Sequence, residues 1–453
     1  MTPAIRTSSV FVPGKLPSHT YNPRKHLRLE ERLREYIEET GSILTLSGPT
    51  KTGKTVLLES VLENPVWLDG QGIDDLDGFW ERVAEELGVF TNFEQSVQGQ
   101  QQSVVNGNAG LNAGVVSVKG GGSYAIANTS GSKSSISRPV QIVARDALQD
   151  SGRALVVDDF HFIDRAIQRQ LVRALKPLVL KGVPMIFVSI SHKVQEVVTA
   201  EPDMTGRVST LSVDLWSTDD LRVIASKGFG LLNVTDPGGQ LATVLAEASF
   251  GSPHLMQKFC REICKANGIL ETAQLESELQ APQSWEEFFS AQVDVASKGR
   301  GERLVRGPQE RGRERTTWKT TTGQSLDRYG LTMLATANTG PLLSIPIDRI
   351  KREIDILTTE GSPQAGQITG ALGYLSKIAA LSITEPVPVA DDAGEAVDES
   401  DLDYEPDGQP VLEYVDDGPN SKLHISDPFF AFYLAWGLKE ELRRQNKAPG
   451  PTE

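Results

Sequence analysis

The chain contains only two cysteines among 453 residues, Cys260 and Cys264. They lie four residues apart in a stretch with helical periodicity, which places both thiols on one helix face. That arrangement favours packed core thiols over a bridge or a metal pair. So few cysteines exclude a disulfide-rich secreted domain, and we expect a cytoplasmic protein.

Long apolar runs are also missing. No stretch reaches the roughly 18 uncharged apolar residues that a membrane-spanning helix needs, and the N-terminal segment lacks the apolar region of a signal peptide. Positive charge is in deficit: 45 Lys and Arg stand against 60 Asp and Glu, which gives a formal net charge of −15. We therefore expect no membrane span, and the charge argues against a protein that coats nucleic acid.

The rest of the composition is typical of a folded protein. Hydrophobic residues make up 39% and charged residues 23% of the chain, which excludes collagen-like and wholly disordered chains. With about 150 residues per domain, the length indicates roughly two to four domains.

A complete phosphate-binding pattern, G-x-x-x-x-G-K-T, follows the strand-like run 42–47 and precedes a helix start at Val56. Its residues are Gly48, Pro49, Thr50, Lys51, Thr52, Gly53, Lys54 and Thr55. The glycines let the backbone approach phosphate oxygens, and the amides of residues 50–55 form an anion nest at a helix N-terminus. Lys54 is predicted to reach the β- and γ-phosphates, and the Thr55 hydroxyl to ligate Mg²⁺. A chance Gly/Lys turn would not explain the order of strand, loop and helix.

Two carboxylates end a second apolar run, residues 153–157. Asp158 is predicted to hold Mg²⁺, and Asp159 to polarise the attacking water or only to orient it. The alternative is an ordinary strand exit with solvated aspartates. The upstream loop favours the functional interpretation, because a bound Mg²⁺ needs an acidic partner.

Strand-like and helix-like segments alternate between residues 42 and 215, which predicts an α/β fold with a doubly wound parallel sheet. Ligands of such sheets bind at the carboxyl ends of the strands. Ser191 ends the strand-like run 183–191 and is therefore a candidate sensor of the γ-phosphate. A polar cap on the strand exit explains it equally well.

Five motifs occur in one order: strand–GPTKTGKT–helix, ALVVDD, VSIS, Gly206-Arg207 and Gly251-Ser252-Pro253-His254. In these motifs the chain resembles the AAA+ and STAND class of P-loop ATPases, over roughly residues 20–275. Its nearest branch by resemblance is the origin-recognition-like and archaeal-type ATPases, which carry a C-terminal winged helix.

The resemblance implies ATP as the nucleotide, since no guanine-reading Asn-Lys-x-Asp stretch occurs. It makes Arg207 a candidate arginine finger or sensor, acting on its own or a neighbour's γ-phosphate; a surface arginine at a strand entry is the alternative. Pro253 and His254 would lie in the lid and respond to the bound nucleotide, or Pro253 only begins a helix. Many AAA+ enzymes carry Glu where this chain has Asp159, which implies slow turnover.

The predicted organisation has five parts: an N-terminal arm (1–26), the ATPase core (27–216), a helical lid (217–297), an Arg-rich linker (298–322) and a winged-helix domain (323–446). The core carries an insertion, residues 91–137, rich in Gly, Ser, Gln and Asn. It predicts either a flexible surface insertion or a β-hairpin around three glycines at 120–122.

The C-terminal part is unevenly charged. Residues 298–319 hold eight basic and three acidic residues, and 391–407 hold nine carboxylates and no Lys or Arg. The basic segment predicts a solvated linker, with a nucleic-acid or an oligomer contact as alternatives. The acidic stretch, assigned to the wing, argues against a duplex-DNA wing and favours a protein partner or packing on the core.

Three functional hypotheses follow. The first is an Mg-ATP-binding, slowly hydrolysing switch that controls homo-oligomer assembly or a protein partner, in defence or signalling. The second is a DNA-associated loader or transposition-type regulator that uses the winged helix and the Arg-rich segment; DNA is possible but not favoured. The third is a scaffold that binds nucleotide without hydrolysis.

Overall fold

The computed structural model describes residues 4–89, 139–190, 206–308, 315–381 and 410–443, and the backbone of 92–95, 134–137, 309–310, 389–390 and 444–445. Several predicted features lie outside the described residues: Ser191, the hairpin around 120–122, Arg311, Arg313 and the acidic stretch 391–407.

The first half of the chain alternates helices and strands. They are α1 (Thr7–Val10), α2 (Leu29–Glu39), β1 (Ile43–Ser47), α3 (Lys54–Val61), β2 (Val66–Asp69), α4 (Leu76–Glu86), β3 (Asn92–Gln95), β4 (Ser134–Ser137), α5 (Val140–Ser151), β5 (Leu155–Asp158), α6 (Arg165–Leu180), β6 (Met185–Ser189) and β7 (Val208–Ser212).

Five of these strands form one parallel sheet in the order β2-β5-β6-β1-β7. Successive side chains of a strand point to opposite faces. Accordingly Leu44 and Leu46 pack in a core with α2 and α3, whereas Ile43 packs in a second core with α4, α5 and α6. The predicted doubly wound parallel sheet is confirmed, and the carboxyl ends of β1 and β5 lie at the same edge, with β6 between them.

The insertion leaves the core as a two-stranded stem. Strands β3 and β4 pair antiparallel, with Asn92 opposite Ser137 and Gln95 opposite Ser134. The insertion therefore enters and leaves the core side by side, between α4 and α5.

The second half of the chain is mostly helical. Its elements are α7 (Thr218–Leu231), β8 (Val234–Thr235), α8 (Gln240–Glu247), α9 (Pro253–Ala266), β9 (Ser277–Glu278), α10 (Trp285–Ser290), α11 (Val295–Arg306), β10 (Gln309–Glu310), β11 (Trp318–Lys319), β12 (Ser325–Leu326), α12 (Arg328–Asn338), β13 (Ser344–Pro346), α13 (Ile347–Leu357), α14 (Ala365–Ala379), β14 (Val389–Ala390), β15 (Leu412–Val415), β16 (Lys422–Ile425), α15 (Pro428–Trp436) and α16 (Leu438–Gln445).

The C-terminal domain is a winged helix. Helices α12, α13 and α14 are followed by a β15–β16 hairpin, and the antiparallel sheet has the order β13-β16-β15. The turn of this hairpin comprises residues 416–421. The acidic stretch 391–407, which the sequence assigns to the wing, lies along the chain between α14 and β15 and outside the described residues.

The Arg-rich segment is not the solvated linker that the sequence predicted. Its first part belongs to helix α11, in which Leu304 and Val305 are buried. Gly301 lets this helix approach α15, since a Cβ there would lie 2.1 Å from the Tyr433 ring. A glycine that sequence analysis assigned to a linker is thus a packing position between two helices.

The lid and the winged helix share one apolar core. Phe259 of lid helix α9 lies 4.9 Å from Phe432 of α15, and Phe289 of α10 lies 4.7 Å from Trp436, measured between ring centroids. Both Phe259 and Phe289 are fully buried. Interiors packed this densely transmit displacement, so the lid and the C-terminal domain form one body. Within the described part of the chain, no helix combines the length and the hydropathy that crossing a bilayer requires.

Candidate nucleotide-binding site

The phosphate loop leaves β1 and enters α3 through two special glycines. A Cβ at Gly48 would lie 2.2 Å from the backbone oxygen of Val213, so only glycine fits against the segment that follows β7. Gly53 has φ +94 and caps α3 in a left-handed conformation, which glycine adopts at no steric cost. Both positions therefore require glycine, Gly48 because of its packing on Val213 and Gly53 because of its backbone conformation.

Lys54 points back over the loop. Its Nζ donates to the carbonyl oxygens of Gly48, at 2.8 Å, and Pro49, at 2.9 Å. Burial lowers the pKa of Lys54 to about 8, while the nearby Asp158 and Asp159 carboxylates oppose the shift. A partly desolvated ammonium group held at the centre of an amide-lined turn attracts phosphate oxygens strongly.

Asp158 ends β5 and meets the start of α3. The Thr55 side chain lies close enough to the carboxylate of Asp158 to lower its pKa, and the Asp159 amide donates to Oδ1 at 3.0 Å. Burial raises the pKa of Asp158, and Lys54 opposes this effect. The structure thus brings together the hydroxyl and the carboxylate that the sequence assigned to Mg²⁺, although they lie about 100 positions apart.

Among the described residues, no group of three or more His, Cys, Asp or Glu side chains could hold a metal by itself. One hydroxyl and one carboxylate nevertheless fit Mg²⁺ bound to a nucleotide, because this ion keeps several waters and takes its other ligands from phosphates.

Asp159 adopts a left-handed conformation with φ +51, which is uncommon for a residue with a Cβ. Its carbonyl packs against Gly70, where a Cβ would lie 2.5 Å from the Asp159 oxygen. Burial, with Asp158 and then Asp69 adding to it, raises the pKa of Asp159 to about 6, although Lys54 opposes the shift. Strained backbone of this kind is often found at functional sites. A carboxylate whose pKa is raised to about 6 is suited to accept a proton from water near neutral pH.

The loop and both aspartates line one cavity of about 720 Å³, which is within the size range of small-molecule sites. The lid contributes Pro253, His254 and Gln257, and Trp216 lies on the connection between the core and the lid. Pro253 is the first residue of α9, as one of the two sequence interpretations has it, and it also lines the cavity.

The sequence indicates only part of one wall of this cavity, since the family resemblance implies a position near the adenine for residues 21–24 and nothing for residues 12–20. This wall is formed by the N-terminal arm, of which Val12, Gly14, Lys15, Leu16, Pro17 and residues 20–24 contribute. The arm is attached to the lid: the Thr7 amide donates to the Leu270 carbonyl at 2.9 Å, and Phe11 is fully buried. For residues 12–20 the sequence offers only the apolar pair Val10-Phe11 before a turn, which does not indicate its partner.

Trp216 connects the arm to the phosphate loop. Its Nε1 donates to the Thr52 carbonyl at 2.8 Å, and the Arg24 guanidinium lies 4.6 Å from the indole centroid. Arg24 is buried and donates to the Asp214 carbonyl at 3.0 Å. Burial lowers its pKa, and Asp220 and Asp214 oppose this.

Arg207 is exposed and lies just before β7, where its carbonyl accepts from the Ile43 amide at 2.9 Å. Ile43 is the first residue of β1, whereas the phosphate loop follows the last. A strand of five residues spans about 16 Å, so Arg207 lies at the opposite edge of the sheet. The interpretation in which Arg207 acts on its own γ-phosphate is therefore wrong.

Ser191 lies outside the described residues, but Ser189 ends β6 between the loop strand β1 and β5. Its Oγ is buried, and no hydrogen-bond partner for it is found in the described part of the chain. Ser189 is thus placed at the predicted strand end, although it does not line the cavity.

No protein-family model and no curated protein matches the chain. Three solved structures are similar to it. Cdc6p from Pyrobaculum aerophilum has 12% identity and a TM-score of 0.39, and covers 98% of this chain and 100% of its own. The Aeropyrum pernix ORC2 protein in its ADPNP–ADP complexes has 10% identity and a TM-score of 0.41, with coverage of 98% and 100%. The Aeropyrum pernix ORC1 protein in complex with DNA has 14% identity and a TM-score of 0.41, with coverage of 98% and 99%.

These are Cdc6 and origin-recognition proteins, the group that the sequence resembles. Similarity at these values assigns no activity, ligand or partner to this chain.

Proposed function

We propose that this protein binds Mg-ATP, hydrolyses it slowly and uses the nucleotide state to control assembly or a protein partner. The observation that carries the proposal is the convergence of Lys54, Asp158 and Asp159 on one cavity at the carboxyl edge of the sheet. These residues come from two distant stretches of the chain, and a fortuitous glycine-rich turn would have no reason to meet them.

Each residue has a distinct role in the proposed reaction. Lys54 and the loop amides bind the β- and γ-phosphates, and Thr55 with Asp158 would hold Mg²⁺, which supplies charge neutralisation when bound. Asp159 orients the attacking water and accepts its proton. Its side chain is one methylene shorter than that of glutamate and reaches less far towards the γ-phosphate, which supports slow turnover.

Calorimetry with Mg-ATP tests the binding. The intact protein should bind, and Lys54→Ala should weaken binding by at least about tenfold. Lys181→Ala is the matched control, because Lys181 follows α6 near the amino edge of the sheet and contacts Gln149 at 2.6 Å. Equal affinities of the protein and the Lys54 variant would refute the site. Phosphate release by the intact protein separates the switch from a scaffold that only binds.

The shared core of the lid and the C-terminal domain supports control of assembly. A nucleotide that moves the lid relative to the loop moves the winged helix with it, so the exposed surface changes with nucleotide state. Arg207 is exposed and could serve a neighbouring subunit's site. Mass photometry with a slowly hydrolysed ATP analogue should show growth in particle size, and Arg207→Ala should reduce it if the subunit contact uses this residue. Nucleotide-driven assembly of this kind suits a signalling or defence protein.

The described surface gives little support for the DNA-associated alternative. Helix α14 would enter the major groove in a DNA-reading winged helix. Its outer face carries Gly366, Gly370 and Gly373, beside which nothing lies within 4 Å, and Lys377. The hairpin turn 416–421 adds two aspartates. A helix face that carries three glycines and one lysine, next to two aspartates, has few positive charges to bind DNA phosphates. We therefore propose a protein partner for this domain.

A further inference from the structure

The C-terminal domain contacts the phosphate loop itself. The Lys51 ammonium lies 3.9 Å from the centroid of the Phe429 ring and 3.7 Å from Asp427 Oδ2. Beside it, the Thr50 hydroxyl donates to the Ser426 carbonyl at 3.2 Å. Residues 426–429 therefore hold two consecutive residues of the loop from its outer side.

These contacts are built into the start of helix α15. Asp427 caps that helix by accepting from the Phe429 amide at 2.9 Å. Only 8% of Asp427 is exposed, and its charge is shared between Lys51 and Arg300, the latter at 3.9 Å. A buried carboxylate needs such partners. Lys51 adopts a left-handed conformation with φ +58, which is uncommon for a residue with a Cβ. Its ion pair with Asp427 links this conformation of the loop to the cap of helix α15.

Phe429 also contacts the lid. Its ring lies 5.0 Å from the His254 ring in an edge-to-face arrangement. His254 lines the cavity, and a Cβ on Gly14 of the arm would lie 3.2 Å from it. Phe429 of the C-terminal domain thus contacts both the loop and the lid, and the arm packs against His254.

The inner side of the loop shows which arrangement the contact favours. Lys54 Nζ donates to the Gly48 and Pro49 carbonyls, and the Thr52 hydroxyl also donates to Pro49, at 2.9 Å. To bind phosphates, the Lys54 ammonium must exchange these carbonyls for phosphate oxygens. Contacts that fix Thr50 and Lys51, the next residues along, stabilise the arrangement in which Lys54 is bound to the loop.

We propose that docking of residues 426–429 on Lys51 is an autoinhibitory contact, in which the C-terminal domain restrains the phosphate loop and ATP binding releases it. The inference rests on the proposed function. Coupling between two sites is reciprocal: if docking opposes ATP binding, ATP opposes docking. The nucleotide signal then reaches the winged helix directly from the loop, and the lid moves with it because the two share one core.

Two variants test the contact by changing residues of the C-terminal domain, Asp427 and Phe429, which do not line the cavity. Asp427→Asn keeps an oxygen for the helix cap but removes the charge, and Phe429→Leu removes the ring. A half-exposed ion pair and a cation–π contact are modest interactions, so each variant should bind Mg-ATP about three- to tenfold more tightly in calorimetry.

Two matched controls keep the interpretation specific. Arg300→Gln removes the other partner of Asp427, and Phe288→Leu removes a ring of the same body that packs on Trp285. Among the described residues, neither side chain forms an ion pair, a hydrogen bond or a ring contact with the loop, and neither variant should bind Mg-ATP more tightly than the unmodified protein. Unchanged or weaker binding by both Asp427→Asn and Phe429→Leu would overturn the proposal.

Hydrogen exchange gives the reciprocal readout in the unmodified protein. Amides of residues 426–431 should exchange faster when Mg-ATP is present, and slower or equal exchange would contradict release. If the unmodified protein gives no binding heat and matches Lys54→Ala, the nucleotide site itself is wrong and the autoinhibitory contact falls with it. Binding by the unmodified protein with no gain in either variant refutes the contact alone.

Discussion

Gly48, the first residue of the phosphate loop, lies directly against the backbone of Val213, with room for a hydrogen atom but not for a Cβ. The segment that follows edge strand β7 thus crosses the loop that leaves β1. Gly48, which the sequence pattern assigns to phosphate binding, therefore also allows the segments that follow β1 and β7 to pack against each other.

Gly48→Ala should therefore destabilise the protein even without nucleotide. A Cβ 2.2 Å from the Val213 oxygen forces backbone movement, and such overpacking costs about 1–3 kcal/mol of unfolding free energy. Urea denaturation measures the change. Gly366→Ala is the control, since nothing lies within 4 Å of that helical glycine, and it should gain about 0.5–1 kcal/mol. Equal effects of the two substitutions would contradict the packing role of Gly48.

The rate of ATP hydrolysis should fall on acidification through about pH 6. The pKa of Asp159 is raised to about 6, so its carboxylate is ionised above that pH and protonated below it, and a protonated carboxyl cannot accept a proton from water. Initial rates of phosphate release between pH 5 and 8 give the profile. Asp159→Asn should be slow at every pH while retaining ATP, and a wild-type rate in this variant would exclude Asp159 as the base.

Asp159→Asn should also change stability in a pH-dependent way. The folded-state pKa of Asp159 lies above its value of 3.8 in an exposed carboxyl, so the folded protein binds this proton more tightly than the unfolded chain. Ionisation therefore costs stability as the pH rises from about 4 to about 6, and the cost is constant above. The variant should melt higher than the wild type at pH 8, and the difference should shrink towards pH 4. A difference that grows on acidification would contradict the raised pKa.

Removal of the insertion should leave the core folded. Gln95 and Ser134 lie opposite each other in the antiparallel stem, so a two-residue Asn-Gly turn can replace residues 96–133. The shortened protein should bind Mg-ATP as the intact one does, and any change in assembly state or partner would assign that role to the insertion. Circular dichroism and calorimetry check the result, and an unfolded product would show that the insertion belongs to the core.

Arg315→Ala should lower stability without changing DNA affinity, although Arg315 belongs to the segment considered for nucleic-acid contact. Its guanidinium lies 2.6 Å from Asp327 Oδ2 and 4.8 Å from the Tyr329 ring centroid, and it is mostly buried. Loss of one partner of such a pair costs about 3 kcal/mol.

Arg306→Ala is the matched control, since Arg306 is exposed at the end of α11, and it should stay within about 0.5 kcal/mol of wild type. Thermal unfolding and DNA titrations at two salt concentrations separate the outcomes. A steep salt-dependent DNA affinity that both variants lose would instead favour the DNA-associated alternative.

Features that depend only on neighbouring residues could be predicted from the sequence. The loop 48–55 needs only turn glycines, inward amides and a helix start, and all of these are set by neighbouring residues. The alternation of strands and helices predicted the parallel sheet. A helix after a strand brings the chain back to the edge at which that strand began, so the next strand runs in the same direction. The carboxyl edge of this sheet then placed Asp158 and Asp159 beside the loop, and the structure brings them into one cavity with Lys54.

Tertiary structure alone decided the rest, because it depends on pairs of residues that no periodicity links. The arm forms a cavity wall through bonds such as that from Thr7 to Leu270, and Arg207 lies at the far edge of the sheet from the loop. Helix α11 packs where Gly301 admits Tyr433. Phe429 reaches Lys51 across more than 370 positions of chain. Close packing selects such contacts only after the elements have assembled, so their partners cannot be found in the sequence.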